Sequence, residues 1–212
     1  MRQSSRVIAF VGGLVFLVVA LCVATPFLLH RDPTDAGAKE TITPKKQWVW
    51  ARKLVRPGLA NLHQVSENLY RGAQPDPKET GLAELKKLGV KTVVNLRSLH
   101  GESDEVAEAE LAYERINFNP LLAPDDDEVL DFLKIATDTS KTPVFVHCKH
   151  GADRTGTMCA AYRVVVQGWP KEEAVKEMKD GGFNFHEKYY ASYARYIMDL
   201  DVEKVKRQLS AQ

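Results

Sequence analysis

The chain has 212 residues, enough for one ordinary domain with accessories, and a formal net charge of +1. That near-neutral balance excludes a strongly basic nucleic-acid binder and an acidic tail, so any preference for anions must be local. Three cysteines, Cys22, Cys148 and Cys159, make no disulfide framework, and none has zinc-ligand spacing.

Residues 1–6 carry Arg2 and Arg6 and read as a short cytoplasmic head. From Val7 to Leu29 there are 23 consecutive residues without a charge. As a helix rising ~1.5 Å per residue, this run would cross the ~30 Å hydrocarbon layer of a bilayer. The expectation is therefore a membrane anchor over 7–29. A signal peptide cleaved after Cys22-Val23-Ala24 is the alternative, disfavoured by the length of the apolar run. Either way the basic head stays in the cytoplasm and the remainder is exported. Residues 30–47, with Asp32-Pro33, Gly37, Pro44 and Lys45-Lys46, read as a polar tether. A single domain is expected over 48–212.

Within it, Asn68 to Arg71 predicts a short strand and Gln74-Pro75-Asp76-Pro77 a turn. Helical spacing of Leu82, Leu85 and Leu88 predicts a helix over 80–88, stopped by Gly89. Lys91 to Leu96 is β-branched and apolar, as a buried strand requires. A charged surface helix is predicted over 102–113, and a short strand over 116–118. Asp125 and Glu128 form a capping-box pattern opening a helix that runs to Thr137. Pro143 to Val146 predicts a strand, and Thr155 to Gln167 an apolar helix. Further amphipathic helices are predicted over 171–179 and roughly 186–209. Strands interleaved with helices imply an α/β fold: a mainly parallel sheet of four to five strands, flanked by helices on both faces.

The segment His147-Cys148-Lys149-His150-Gly151-Ala152-Asp153-Arg154-Thr155-Gly156 lies between a predicted buried strand and a predicted helix. In α/β sheets, ligands bind at the carboxyl ends of strands. The following helix directs unsatisfied N–H groups and its positive dipole end toward the loop. Gly151 permits a tight turn in which the amides of residues 149–154 converge, a nest suited to a tetrahedral dianion. A free thiol titrates near ~8.5, and helix N-termini with cationic neighbours lower that by several units. Cys148 at the base of such a nest would stand as an ionised nucleophile. Arg154 would grip two phosphate oxygens with its planar fork. The implied reaction is in-line attack on phosphorus, a cysteinyl-phosphate, then hydrolysis, with no metal or cofactor required. Lys149 and His150 either stand in solvent or add positive potential at the mouth. Cys159, mid-helix, reads as a core residue; Arg71 and Arg97 read as strand-end residues paired with nearby acids.

His147-Cys148, five residues, then Arg154-Thr155-Gly156 resembles the signature of the protein tyrosine and dual-specificity phosphatase superfamily. The likeness extends through Asn68 to Pro75, Gly89 to Arg97, and Gly168-Trp169-Pro170, covering roughly residues 48–190. These stretches are similar to the compact bacterial dual-specificity-like branch and to fungal and plant phosphatases of inositol pyrophosphates. The resemblance implies that His147 tunes the thiolate and that the Thr155 hydroxyl assists breakdown of the intermediate. It also implies a general acid, an Asp on a loop upstream of the cysteine, for which Asp125 is the first candidate. Asp153 is the second, by likeness to myotubularins, although Asp125 is equally suited to capping a helix. Implied substrates are phosphorylated proteins, with phosphoinositides and inositol polyphosphates as alternatives. A rhodanese-like sulfur transferase and a non-catalytic phosphate-binding module compete with this reading.

Overall fold

The computed structural model describes residues 47–76 and 80–211. The expected head, the anchor over 7–29 and all of the tether but Gln47 lie outside the described residues. Thirteen elements follow in chain order among those described: β1 (Arg52–Lys53), β2 (His63–Ser66), β3 (Leu69–Ala73), α1 (Gly81–Lys87), β4 (Thr92–Asn95), α2 (Ser103–Glu108), β5 (Ala112–Arg115), α3 (Asp126–Thr137), β6 (Val144–Cys148), α4 (Asp153–Val165), α5 (Lys171–Asp180), α6 (Glu187–Asp199) and α7 (Val202–Ser210).

The strands form one sheet in the order β1-β2-β3-β6-β4-β5. β3, β6, β4 and β5 run parallel, whereas β1, β2 and β3 pair antiparallel. Six strands therefore replace the four to five expected. The two extra ones escape detection for a physical reason. β1 is two exposed charged residues, and β2 is His63-Gln64-Val65-Ser66, with no β-branched run to announce it.

β6 is central, and every one of its residues is buried. Its side chains alternate between faces, as a strand demands. Val144, Val146 and Cys148 join the larger core, under Leu133 of α3, Met158 and Cys159 of α4, Val175 of α5 and Ile197 of α6. Phe145 joins the smaller core with Leu85 of α1 and Val106 of α2. Helices thus cover both faces, as expected.

Two local corrections stand beside that agreement. The helix predicted over 102–113 ends at Glu108, because Glu110 turns left-handed at φ 57°. The strand then occupies Ala112–Arg115 rather than 116–118. As an edge strand it is half exposed and polar, and the apolar Ile116 and Phe118 that suggested the later position bury just beyond it. The long C-terminal helix is two helices. Leu200 is extended (φ −54°, ψ 125°), and the Asp201 side chain caps the second by accepting from the Lys204 N–H at 2.9 Å.

A buried ion pair braces the larger core. Arg163 of α4 donates to both carboxylate oxygens of Glu177 on α5, at 2.8 and 2.6 Å, and to the Val65 carbonyl of β2. Glu177 also accepts from the Ala51 N–H at 2.6 Å, fastening the segment that leads into β1.

Candidate active site

β6 ends at Cys148 and α4 begins at Asp153, so residues 149–152 make the whole reversal from strand to helix. Gly151 sits at φ 69°, a conformation costly for any residue with a Cβ. A Cβ there would also lie 2.2–2.5 Å from the backbone of Gly72 and Ala73 on β3. Glycine is therefore required twice, by torsion and by space.

The loop carbonyls have partners outside the turn. The Gln74 N–H donates to Lys149 O at 3.4 Å, and Asn61 Nδ2 to His150 O at 3.0 Å. Arg71 Nη2 donates to Gly151 O at 2.7 Å and to Ala152 O at 3.3 Å. His147 Nδ1 lies 3.2 Å from Cys148 O. The four carbonyls of the turn are thus drawn toward the scaffold. In a tight turn that leaves the N–H groups on the opposite, concave side.

Cys148 is buried but reaches the loop's base, while Lys149 and His150 are exposed at its rim. Arg154, in the first turn of α4, donates from Nη1 to Leu96 O at 3.0 Å, which aims the guanidinium along the ends of β4 and β6. Thr155 is fully buried, and its hydroxyl has no hydrogen-bond partner among the described residues. His147 is fully buried, its ring stacked on Phe145 at 5.7 Å, with Nε2 2.5 Å from Glu102 Oε1. That approach lacks the alignment of a hydrogen bond. Glu102 accepts from Gln74 Nε2 at 2.7 Å, and Gln74 Oε1 accepts from Arg97.

Arg71 and Arg97 depart from the acid pairing expected of them. Arg71 is 1% exposed and forms no ion pair among the described residues; its Nη2 donates to two loop carbonyls, and its Nε has no hydrogen-bond partner among the described residues. Arg97 bonds an amide, and burial first, then the facing Arg154 charge, push it below its ordinary range. Cys159 keeps the core role expected. Burial pushes its thiol up to about 11.

A cleft of about 1430 Å³ lies beside the loop, reaching it at Lys149 and His150 and lined also by Lys53, Arg56, Arg97 and His186, whereas Cys148 and Arg154 are not on its walls. Asp76 is the one carboxylate among its lining residues. The cations lining this neighbouring cleft come from several strands and loops, in a chain that is near neutral overall. Burial, then the Lys149 charge, push the His150 imidazole below its ordinary range. Among the described residues, no group of His, Cys, Asp or Glu gathers to hold a metal ion.

The two acid candidates separate. Asp125 is exposed, completes a capping box with Glu128 (2.8 and 3.1 Å), and lines a different groove with Glu114 and Asp131. Asp153 opens α4 and is held by His186, whose N–H donates at 2.8 Å and whose Nδ1 lies 3.0 Å away. Sequence reasoning missed Arg71, Asn61, Gln74, Glu102 and His186. The signal for Arg71 was a cation between Tyr70 and Gly72, inside a strand buried throughout.

Residues 56–193 match the family described as "DSP-PTPase phosphatase fused to NAD+ Kinase". The dual specificity protein phosphatase TpbA of Pseudomonas aeruginosa is 38% identical over 196 residues, covering 91% of this chain and 84% of TpbA. A crystal structure of P. aeruginosa TpbA in complex with pTyr aligns at TM-score 0.67 and 33% identity, over 81% of this chain and all of that one. The catalytic domain of the S. cerevisiae PP-IP phosphatase SIW14 shares the fold, at TM-score 0.63 and 19% identity, over 75% of this chain and 95% of that one. Signature, fold and likeness converge: the chain belongs to the DSP-PTPase family of cysteine-dependent phosphatases.

Proposed function

We propose that this phosphatase acts on phosphorylated protein side chains, phosphotyrosine foremost, through a cysteinyl-phosphate at Cys148. One observation carries the chemistry: four successive loop carbonyls turn to the scaffold, leaving amides to receive the phosphoryl oxygens beside Cys148 and Arg154. The protein substrate is supported by TpbA, named a dual specificity protein phosphatase and crystallised with pTyr. Phosphate release should be measured from phosphotyrosine and phosphothreonine peptides, phosphoinositides and inositol polyphosphates. The expected order places phosphotyrosine peptides first by kcat/KM. An inositol polyphosphate preferred by tenfold or more would replace the protein reading with the alternative.

Departure of a serine, threonine or tyrosine oxygen calls for a proton donor, worth about 10²–10⁴-fold. We assign this role to Asp125, on the stretch between β5 and α3, whose carboxylate caps α3 beside a separate groove here and must swing toward Cys148 to act. Asp153 is the positioning residue that holds the start of α6 through His186. Asp125→Asn should slow hydrolysis of phenyl phosphates with poor leaving groups about 100-fold and spare those with good ones. Asp153→Asn should lower thermal stability without that selectivity. If Asp76→Asn or Asp153→Asn alone produces the leaving-group dependence, the assignment moves to that residue.

A further inference from the structure

The geometry points to Arg71 as the positioning residue that holds the phosphate loop in its anion-binding form, acting from behind the loop and not on substrate. Arg71 and Cys148 share a face of the sheet. β3 and β6 pair with Arg71 opposite Val146 and Ala73 opposite Cys148, so these four side chains point the same way. The guanidinium spans from β3 to the far side of the turn, bonding carbonyls about 80 residues away in sequence. The contacted carbonyl at Gly151 belongs to the one loop residue with positive φ, where a peptide plane flips most readily. Without the donor, Gly151 O would be a buried acceptor with no partner, and a flip exposing it would turn an N–H out of the nest.

The charge of Arg71 has a second consequence. It is buried, stacked over Phe183 at 3.8 Å, and desolvation pushes it below its ordinary range. A buried cation calls for an anion. Glu177 on α5 is already engaged by Arg163. The Cys159 thiol on α4, raised to about 11, is protonated at neutral pH. His63 on β2 is pushed below its ordinary range by burial and is no anion. Cys148, on the same face of the sheet as Arg71, is the group at the site whose negative form that charge would favour. Arg71 thus supplies permanent charge from below while Arg154 meets the substrate.

Three variants in the full chain test this: Arg71→Lys, Arg71→Met and Asn61→Gly, the last retaining the left-handed backbone that Asn61 adopts at φ 55°. Two readouts are needed: the rate of iodoacetamide labelling at Cys148 at neutral pH, which follows the thiolate, and competitive inhibition by inorganic phosphate. Arg71→Lys keeps the charge and loses the fork. It should label within twofold of the parent yet bind phosphate about tenfold more weakly. Arg71→Met should lose both, labelling about tenfold more slowly. Asn61→Gly removes the amide that donates to both His150 O and Phe183 O, leaves the Arg71 charge in place, and should weaken phosphate about threefold with labelling unchanged. Circular dichroism identifies the folded variants. A folded Arg71 variant matching the parent in both readouts overturns the inference. If neither Arg71 variant folds, Asn61→Gly decides, and unchanged phosphate inhibition in it overturns the inference. The idea rests on Cys148 as nucleophile, yet neither readout requires turnover. A parent protein that labels at Cys148 and binds phosphate but releases none would sink the enzymatic reading alone.

Discussion

Replacing Cys148 with serine should reduce phosphate release by roughly 10⁴-fold or more, with inorganic phosphate binding and thermal stability retained. The hydroxyl occupies the same place at the end of β6, but at neutral pH it stays protonated and is a far weaker nucleophile. The binding groups survive the change. They are the amides of the loop, whose carbonyls are anchored by Gln74, Asn61 and Arg71, and the guanidinium of Arg154, held by Leu96 O. Release of phosphate from para-nitrophenyl phosphate measures the loss, and isothermal titration with phosphate measures what remains. Turnover within tenfold of the parent would remove Cys148 from the chemistry. Lost phosphate binding would instead mean that the sulfur, and not the amide nest, holds the anion.

Substituting alanine for Gly151 should be nearly as damaging by a different route. The new Cβ would lie 2.2 Å from the Gly72 carbonyl carbon and 2.3 Å from its oxygen, in a backbone conformation that already strains an L-residue. Backbone cannot yield as a flexible side chain does, so β3 and the loop must part. The expected costs are about 2–4 kcal/mol of stability and a fall of at least about 100-fold in kcat/KM, because displaced amides no longer converge on the phosphoryl oxygens. Denaturant unfolding and steady-state kinetics check the two halves separately. Alanine at Gly89 provides the contrast. It shares positive φ (81°) but has open space around it, so it should lose stability with activity preserved. Equal damage at both positions would mean that torsion, and not the contact with Gly72, governs the loop.

The chemistry was legible because it is local. Cys148, Gly151, Arg154 and Thr155 fall on one short turn between a β-branched strand and an apolar helix, and periodicity places both elements. The α3 capping box was equally legible, since Asp125 and Glu128 are three residues apart and satisfy each other's backbone. The edge strands were not. β1 and β5 bury little, so their sequences carry no hydrophobic period to read; interior β2 went unread as well, because Val65 is its one apolar residue. Nor was the role of Arg71, because an arginine ending a strand looks the same whether it meets a surface carboxylate or a buried carbonyl.

The sequence alone pointed to Cys148 as the candidate nucleophile, to the reversal that holds it and to the strand and helix on either side, since each depends on neighbours within about ten residues. The tertiary structure alone decided how the loop is held and which charges face it. Arg71, Asn61 and Gln74 come from two earlier strands' surroundings, and the cleft gathers Lys53, Arg56, Arg97 and His186 from distant parts of the chain. Hydrogen bonds and charges act through space over a few ångströms, and only folding brings residues so far apart in sequence within that range.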